Sequence, residues 1–145
     1  MNRKRIYSIV VGATLLIVGC EPKRWTNDQF EGTWHVEANN PNATTGATLT
    51  LTRDGKFVAT SVPATFLGIN DGKHMLSGTG TWSIIQLDSA YDKRMQFTFT
   101  KVEGITLQNL PWGAQLLIQG SNKTPQLFYY VGDPDDGRKV VFRRE

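Results

Sequence analysis

Short runs of alternating apolar and polar residues follow one another from Gly32 onward, with Gly, Asn, Asp or Pro between them. Alternation with a period of two is typical of β-strands that have one face on a core and the other in water. One short helical turn is expected at residues 26–30, where Thr26, Asn27 or Asp28 is available as a cap. The predicted strands are residues 32–37, 46–52, 56–62, 79–86, 94–102, 113–120, 125–131 and 138–144.

The predicted fold class is all-β, an antiparallel meander of about eight strands. The alternatives are a closed barrel and a sandwich of two sheets. We favour the barrel because pairing of the first and last strands removes the exposed edges of an open sheet. A barrel of this size is either filled by its own side chains or holds one small ligand. The large side chains expected to face inward are Trp34, Val36, Leu49, Leu51, Phe57, Trp82, Ile84, Phe97, Phe99, Leu116, Ile118, Leu127, Tyr129 and Phe142.

Two hairpins set the predicted register. A three-residue loop with Gly55 in the left-handed conformation places Leu51 and Phe57 on one face, whereas a two-residue Asp-Gly loop places them on opposite faces. We prefer the three-residue loop because burial of both side chains is worth several kcal/mol. The second hairpin joins residues 127–131 to 139–142, and both faces of its strands are apolar or aromatic. We expect such strands to be covered on both sides or to hold a ligand.

A different pattern occupies residues 1–19. Arg3, Lys4 and Arg5 precede an apolar stretch from Ile6 to Val18, which is the arrangement of a secretory signal peptide. The stretch is shorter than the roughly 20 apolar residues that cross a bilayer. We therefore expect this segment to direct export of the rest of the chain, preceding the β domain as a signal-peptide helix.

The end of this segment, Ile17-Val18-Gly19-Cys20, resembles the bacterial lipobox. The resemblance implies cleavage between Gly19 and Cys20 and attachment of diacylglycerol and acyl chains, such as palmitate, to Cys20. Two or more chains anchor a protein firmly, since each buried methylene contributes about 0.8 kcal/mol. The alternative is a buried Cys in a plain membrane helix. Cys20 is the only cysteine, so the exported domain has no internal disulfide and no Cys ligand set for zinc.

This interpretation divides the chain into residues 1–19 as a lipoprotein signal peptide, 20–29 as the lipidated Cys with its tether, and 30–145 as the β domain. The expected location is the bacterial cell envelope, on the membrane to which Cys20 is attached. Glu21 departs from the Asp that favours inner-membrane retention. We therefore expect the periplasmic face of the outer membrane in a diderm host, and otherwise the outer face of the cytoplasmic membrane.

The net charge of the chain adds little to this interpretation. The chain has 16 Lys and Arg against 13 Asp and Glu, a net charge of +3. Arg3, Lys4 and Arg5 account for the whole excess, so the exported part is formally neutral. A neutral domain does not present the basic face by which net charge marks a nucleic-acid-binding protein. The length and a hydrophobic content of 39% fit one globular domain.

Phe30-Glu31-Gly32-Thr33-Trp34 resembles the first signature of the lipocalin and calycin group, a short 3₁₀ turn before a Gly-x-Trp in strand one. The resemblance implies that Trp34 closes one barrel end and that an Arg near the last strand packs across it by cation–π contact. Arg143 and Arg144 both stand where that Arg is expected. Gly32, Trp34 and one of these arginines are then structural residues. Gly78-Thr79-Gly80-Thr81-Trp82 before a strand, and the hairpin over residues 129–135, also resemble small uncharacterised bacterial lipoproteins of this general build.

Few residues suggest catalysis. His35 lies on the strand face opposite Trp34, and His74 lies in a long loop over residues 63–78; neither has a catalytic motif nearby. The acidic loop 133–137 has oxygen ligands for a hard cation, but a hairpin turn with Asx-type hydrogen bonds explains the same residues. We expect no enzymatic activity, no cofactor and no metal.

Binding is better supported. Phe66, Leu67 and Ile69 lie in an apolar loop, which forms either a lid or partner-facing patch or a plug that folds back into the barrel end. Trp112 is the Trp expected to be partly exposed near a barrel mouth, and Tyr129 lies in the apolar hairpin. These five residues are the candidate ligand-binding set.

The expected function follows from these features. We expect a membrane-anchored, non-enzymatic barrel that binds a small apolar ligand or an envelope component. The alternative is an envelope protein-interaction module, such as an inhibitor or immunity-type factor, with a filled barrel. A continuous apolar cavity favours the first and a solid interior favours the second.

Overall fold

A computed structural model describes residues 24–37, 46–69, 74–86, 93–103 and 112–144. The predicted signal peptide, Cys20 and the start of the predicted tether lie outside the described residues. Within these ranges the chain forms eight strands and three short 3₁₀ helices.

The strands follow one another around a single sheet. They are β1 (Gly32–Val36), β2 (Thr48–Leu51), β3 (Lys56–Pro63), β4 (Met75–Gln86), β5 (Lys93–Glu103), β6 (Trp112–Ser121), β7 (Thr124–Tyr130) and β8 (Lys139–Arg144). The 3₁₀ helices are Asn27–Gln29, Ala64–Leu67 and Pro134–Asp136. Each strand pairs antiparallel with the next, and β8 pairs with β1, so the meander closes into a barrel. The all-β class, the closed barrel and the turn near residues 26–30 are confirmed.

The hairpin between β2 and β3 has the predicted three-residue loop. Leu51 pairs with Phe57, and Leu49 pairs with Ala59. Gly55 has a φ of 79°, a left-handed conformation that glycine adopts without a steric penalty. All four paired side chains are buried. The predicted register is confirmed. Its physical reason is that only the three-residue loop places both Leu51 and Phe57 inside the barrel.

Strand β4 begins at Met75, earlier than residue 79 where the sequence pattern placed it. Gly78 and Gly80 lie inside the strand and leave its inward positions without apolar side chains, so the alternation is not visible there. A Cβ on Gly78 would lie 2.9 Å from Cδ1 of Phe99, and one on Gly80 would lie 2.9 Å from Cε1 of Phe57. The two glycines therefore give room to the aromatic rings that fill the barrel.

The core of the barrel contains most of the side chains predicted to face inward. Only Val36, Ile84 and Ile118 of that set are partly rather than fully buried. No polar or charged residue is buried among the described residues. Large core residues outside that set are Trp25, Phe30, Val62, Phe66, Leu67, Leu76, Met95 and Val140. The closing strand pairs and this core all lie between Trp25 and Arg144, within the predicted mature chain.

One end of the barrel is closed by Trp34. Its indole Nε1 donates a hydrogen bond to the carbonyl oxygen of Phe30 (2.9 Å). The guanidinium carbon of Arg144 lies 5.9 Å from the centroid of the indole ring. Nη1 of Arg144 donates to the carbonyl oxygens of Gln29 (3.0 Å) and Glu31 (3.1 Å). Arg144 thus ties the last strand to the 3₁₀ turn before the first.

Of the two candidate arginines, Arg144 is the one across the indole. Arg143 points elsewhere and forms an ion pair with Glu37 (3.1 Å). Gly32, the remaining residue of the motif, has a φ of 126° and passes so close to Arg144 that a Cβ would lie 3.2 Å from its Cδ.

The two arginines provide a matched test of the closed end. Arg144→Ala should lower the free energy of unfolding by about 1–2 kcal/mol, because it removes a cation–π contact and two hydrogen bonds to carbonyl groups. Arg143→Ala should lower it by less than about 0.5 kcal/mol, because it removes only a solvent-exposed ion pair. Urea unfolding of the mature domain measures both values. Equal losses in the two variants would contradict the role assigned to Arg144.

Candidate functional site

The 3₁₀ helix Ala64–Leu67, here called the plug helix, inserts Phe66 into the barrel. The ring centroid of Phe66 lies 5.6 Å from that of Phe97, 6.0 Å from Phe99, 5.8 Å from Tyr129 and 6.3 Å from Phe142. Its side chain is only 4% exposed. Aromatic rings therefore occupy the space between β5, β7 and β8 where a small ligand would otherwise be held.

The five residues of the candidate ligand-binding set lie toward one end of the barrel. Phe66, Leu67 and Tyr129 are buried, whereas Ile69 and Trp112 are partly buried and pack against the core. Of the two alternatives for the apolar loop, the structure shows the plug that folds back into the barrel. Trp112 is, as predicted, the one described Trp that is not fully buried.

A side-chain hydrogen bond joins the plug helix to β7. The hydroxyl oxygens of Thr65 and Tyr129 lie 3.1 Å apart. Burial raises the pKa of the Tyr129 phenol above its ordinary value, and the hydrogen bond with Thr65 acts in the opposite direction. The neutral phenol is therefore the form that suits this site.

The second predicted hairpin has side chains on both faces of the barrel wall. Leu127 and Tyr129 face the core, whereas Phe128 and Val141 lie outside the core cluster and are still only 9% and 7% exposed. Phe128 contacts the ring of Tyr130 (5.6 Å), and Nζ of Lys139 lies 5.1 Å from its centroid. The expectation that these strands are covered on both sides is thus met by residues of the same hairpin.

The histidines and the acidic loop do not form a metal site. His35 is half-buried in β1 and pairs with Thr48, and His74 is exposed just before β4. No group of three or more His, Cys, Asp or Glu side chains is arranged to hold a metal ion within the described residues. Oδ1 of Asp133 accepts a hydrogen bond from the backbone nitrogen of Asp135 (3.0 Å). The hairpin-turn interpretation of residues 133–137 therefore fits the geometry.

A trough of about 560 Å³ lies on the outer surface where the chain passes from the β2–β3 loop to β4 and β5. Val58, which is 47% exposed, lies in it between hydroxyl-bearing side chains. We did not find this surface from the sequence. The signal for it is the pair of outward threonines, Thr79 and Thr81, in the alternating pattern of β4. Its lining residues are Thr52, Asp54, Lys56, Phe57, Val58, Thr79, Gly80, Thr81 and Thr100.

Charge at the mouth of this trough is balanced. Lys56 and Asp54 form an ion pair (2.6 Å). Hydrogen bonds from Lys56 and Thr52 lower the pKa of the Asp54 carboxyl to about 2. The hairpin end therefore keeps its carboxylate ionised well into the acid range.

A second groove, of about 270 Å³, lies at the end of the barrel closed by Trp34. Lys123, Arg143 and Arg144 supply its charged lining, and Thr124, Pro125 and Gln126 complete it. All its charged side chains are basic. The sequence pattern had drawn attention to Arg143 and Arg144, but only the pairing of β7 with β8 brings Lys123 beside them.

Comparisons with known proteins do not assign the chain to a family. No family model, curated protein or solved structure matches it. The described part of the chain contains no helix with the length and apolar character needed to span a membrane. The class of protein defined by the structure is a closed, eight-stranded antiparallel barrel with an apolar core.

The raised pKa of Tyr129 predicts how stability responds to alkali. As pH rises from about 10 through the folded pKa, the unfolded chain loses the phenolic proton before the folded chain does, so the free energy of unfolding decreases. Tyr129→Phe should reduce this decrease, as measured by unfolding at several pH values. Tyr130→Phe, which removes the neighbouring exposed phenol, is the control. An equal reduction in both variants would contradict the assignment to Tyr129.

Proposed function

We propose that this protein is a lipid-anchored, non-enzymatic protein of the bacterial cell envelope, in which a lipocalin-like barrel serves as an interaction module for another envelope protein. In this proposal residues 1–19 are removed and diacylglycerol and acyl chains on Cys20 hold the mature chain on the membrane. The observation that supports an interaction module is the position of Phe66 inside the barrel. A barrel filled by its own side chains has its outer surface and loops left for recognition.

The lipocalin-like character is supported by the closed end. The 3₁₀ turn before β1, Trp34 across the barrel and Arg144 over the indole are the three features that the sequence resemblance implies. They explain why this end needs no further covering element. They support an architecture shared with lipocalins. They do not identify the partner, which in this proposal is recognised by the outer surface of the barrel.

The outer trough is the surface best suited to a protein partner. Val58 is the large aliphatic side chain most exposed among the described residues. It is surrounded by threonine hydroxyls that donate and accept hydrogen bonds, and by the Lys56–Asp54 pair at the mouth. A small apolar centre with a polar rim is the usual anatomy of a protein interface. In this proposal the trough serves recognition and the interior serves stability.

A small apolar ligand is the second candidate, and one observation favours it. The plug helix is a short 3₁₀ turn ended by Gly68 in the left-handed conformation, and one side-chain hydrogen bond, between Thr65 and Tyr129, joins it to β7. Outward movement of this turn would remove Phe66 from an interior lined by aromatic rings. In this candidate the plug helix is a gate for the barrel.

Anchoring is tested by Cys20→Ala in the full chain. The variant should move from the membrane fraction to the soluble fraction, because it cannot form the thioether to diacylglycerol. Membranes are washed at high salt before fractionation, so that electrostatic attachment is removed and acylation alone is measured. A variant that stays with the washed membranes would contradict lipid anchoring through Cys20.

The filled interior is tested by native mass spectrometry of the mature domain carrying Cys20→Ser. The proposed module should show the mass of the protein alone, whereas a co-purifying lipid would overturn it in favour of the ligand candidate.

Phe66→Ala should lower the free energy of unfolding by about 3–5 kcal/mol and open an apolar cavity that takes up benzene. Phe128→Ala removes the same ring outside the core and is the control; benzene uptake by it would contradict the role of Phe66.

A further inference from the structure

Trp25, which lies within the predicted tether, packs on the end of the barrel. Its side chain is only 5% exposed, and its ring lies 5.2 Å from that of the fully buried Phe30. Nζ of Lys93, the first residue of β5, lies 5.6 Å from the centroid of the same ring. Aromatic and cation–π contacts therefore hold this residue against the barrel.

The side chain of Gln86 binds the backbone of Trp25 at two points. Oε1 of Gln86 accepts a hydrogen bond from the backbone nitrogen of Trp25 (3.2 Å), and Nε2 donates one to its carbonyl oxygen (2.9 Å). A single amide thus satisfies both the donor and the acceptor of one backbone residue, as a neighbouring strand would. We call the ring contacts and these two hydrogen bonds together the Trp25 clamp.

The clamp depends on the ring and the backbone of Trp25 and not on its indole N–H. Nε1 of Trp25 is buried and has no hydrogen-bond partner within the described part of the chain. A buried donor without a partner is unfavourable, so the ring contacts and the two hydrogen bonds to Gln86 have to outweigh it. A phenylalanine at this position would keep an aromatic ring and remove the unpaired donor.

The clamp lies at the closed end of the barrel. Gln86 is the last residue of β4, and antiparallel order places the end of β4 at the same end as the start of β1 and the β2–β3 loop. Nδ2 of Asn27 donates a hydrogen bond to the carbonyl oxygen of Arg53 in that loop (3.3 Å). The mouth of the trough, with Asp54 and Lys56, is at this end too.

The clamp limits the distance between the barrel and the proposed anchor. Four residues separate Cys20 from Trp25. Even a fully extended chain of that length spans no more than about 18 Å. The closed end therefore has to stay close to the membrane surface if Cys20 is lipidated. The β7–β8 hairpin, at the opposite end, is farther away by roughly the length of a strand.

We propose that the Trp25 clamp is a positioning device, which holds the closed end of the barrel and the mouth of the trough close to the membrane that carries the anchor. The orientation rests on the proposed lipidation of Cys20, whereas the clamp itself does not. In combination with the proposed function, a protein bound at the trough lies beside this membrane. The β7–β8 hairpin and the plug helix are then directed away from it.

The clamp is tested on the mature domain carrying Cys20→Ser, by the rate of chymotrypsin cleavage after Trp25. Cleavage requires the ring to leave the barrel and enter the protease, so the rate follows the population of the released state. Gln86→Ala should raise the rate about tenfold, because it removes both hydrogen bonds to the Trp25 backbone. Gln119→Ala, which truncates an exposed glutamine of β6, is the control and should leave the rate unchanged.

The contrary outcomes of this experiment are distinct. An unchanged rate in Gln86→Ala, or an equal rise in both variants, would overturn the clamp. Cleavage after Tyr130 serves as the internal reference, and an equal rise there would show general unfolding and would also overturn the clamp. None of these results bears on acylation, which the washed-membrane experiment on Cys20→Ala tests separately.

Trp25→Phe tests which part of the side chain acts. Its rate of cleavage after residue 25 is divided by that of a peptide of residues 21–30 with the same substitution, which corrects for the preference of the protease. The corrected rate should be no higher than that of the parent domain, because the ring stays and the unpaired donor is removed. A clear increase would overturn the assignment of the clamp to the ring and the backbone.

The orientation is tested on the lipidated protein in phospholipid vesicles with a quencher at the headgroups, after its mass has confirmed acylation. Cys20 is the only cysteine and its thiol is blocked by the lipid, so one new cysteine takes up a fluorophore selectively. A fluorophore on Lys123→Cys, in the β6–β7 turn at the closed end, should be quenched several-fold more than one on Asp135→Cys in the β7–β8 hairpin. Equal quenching, or stronger quenching at position 135, would overturn the orientation.

Discussion

Pairing of β8 with β1 places Arg144 over Trp34, and the rest of the barrel depends on this closure. A closed sheet has no unpaired edges, and its interior volume is fixed by the number and tilt of its strands. The Trp34 indole fills the interior at one end, and Arg144 binds the turn before β1 to the last strand. The other core side chains fill the interior volume that remains.

That volume is filled from two directions. The chain leaving β3 folds back and inserts Phe66, while Gly78 and Gly80 in β4 leave room for the rings of Phe99 and Phe57. Dense packing of this kind stabilises the fold through burial of aromatic surface. The trough around Val58 and the groove of Lys123, Arg143 and Arg144 lie outside this packed interior and differ in chemistry.

The two outer surfaces differ in charge. The trough has a balanced ion pair and threonine hydroxyls around an exposed aliphatic side chain. The groove is lined by Lys123, Arg143 and Arg144, of which Arg143 is paired with Glu37, and it lies at the end where the chain enters the barrel at Trp25.

The sequence by itself determined the number of strands, the register of the β2–β3 hairpin and the closed end at Trp34. These features depend on local alternation, on the turn chemistry of Gly55 and on a motif of adjacent residues. Only the tertiary structure decided that Arg144 and not Arg143 covers Trp34, that Phe66 is a plug, that β4 begins at Met75 and that Trp25 docks onto Gln86. Each of these depends on residues far apart in the chain, which the barrel brings together when its last strand pairs with its first.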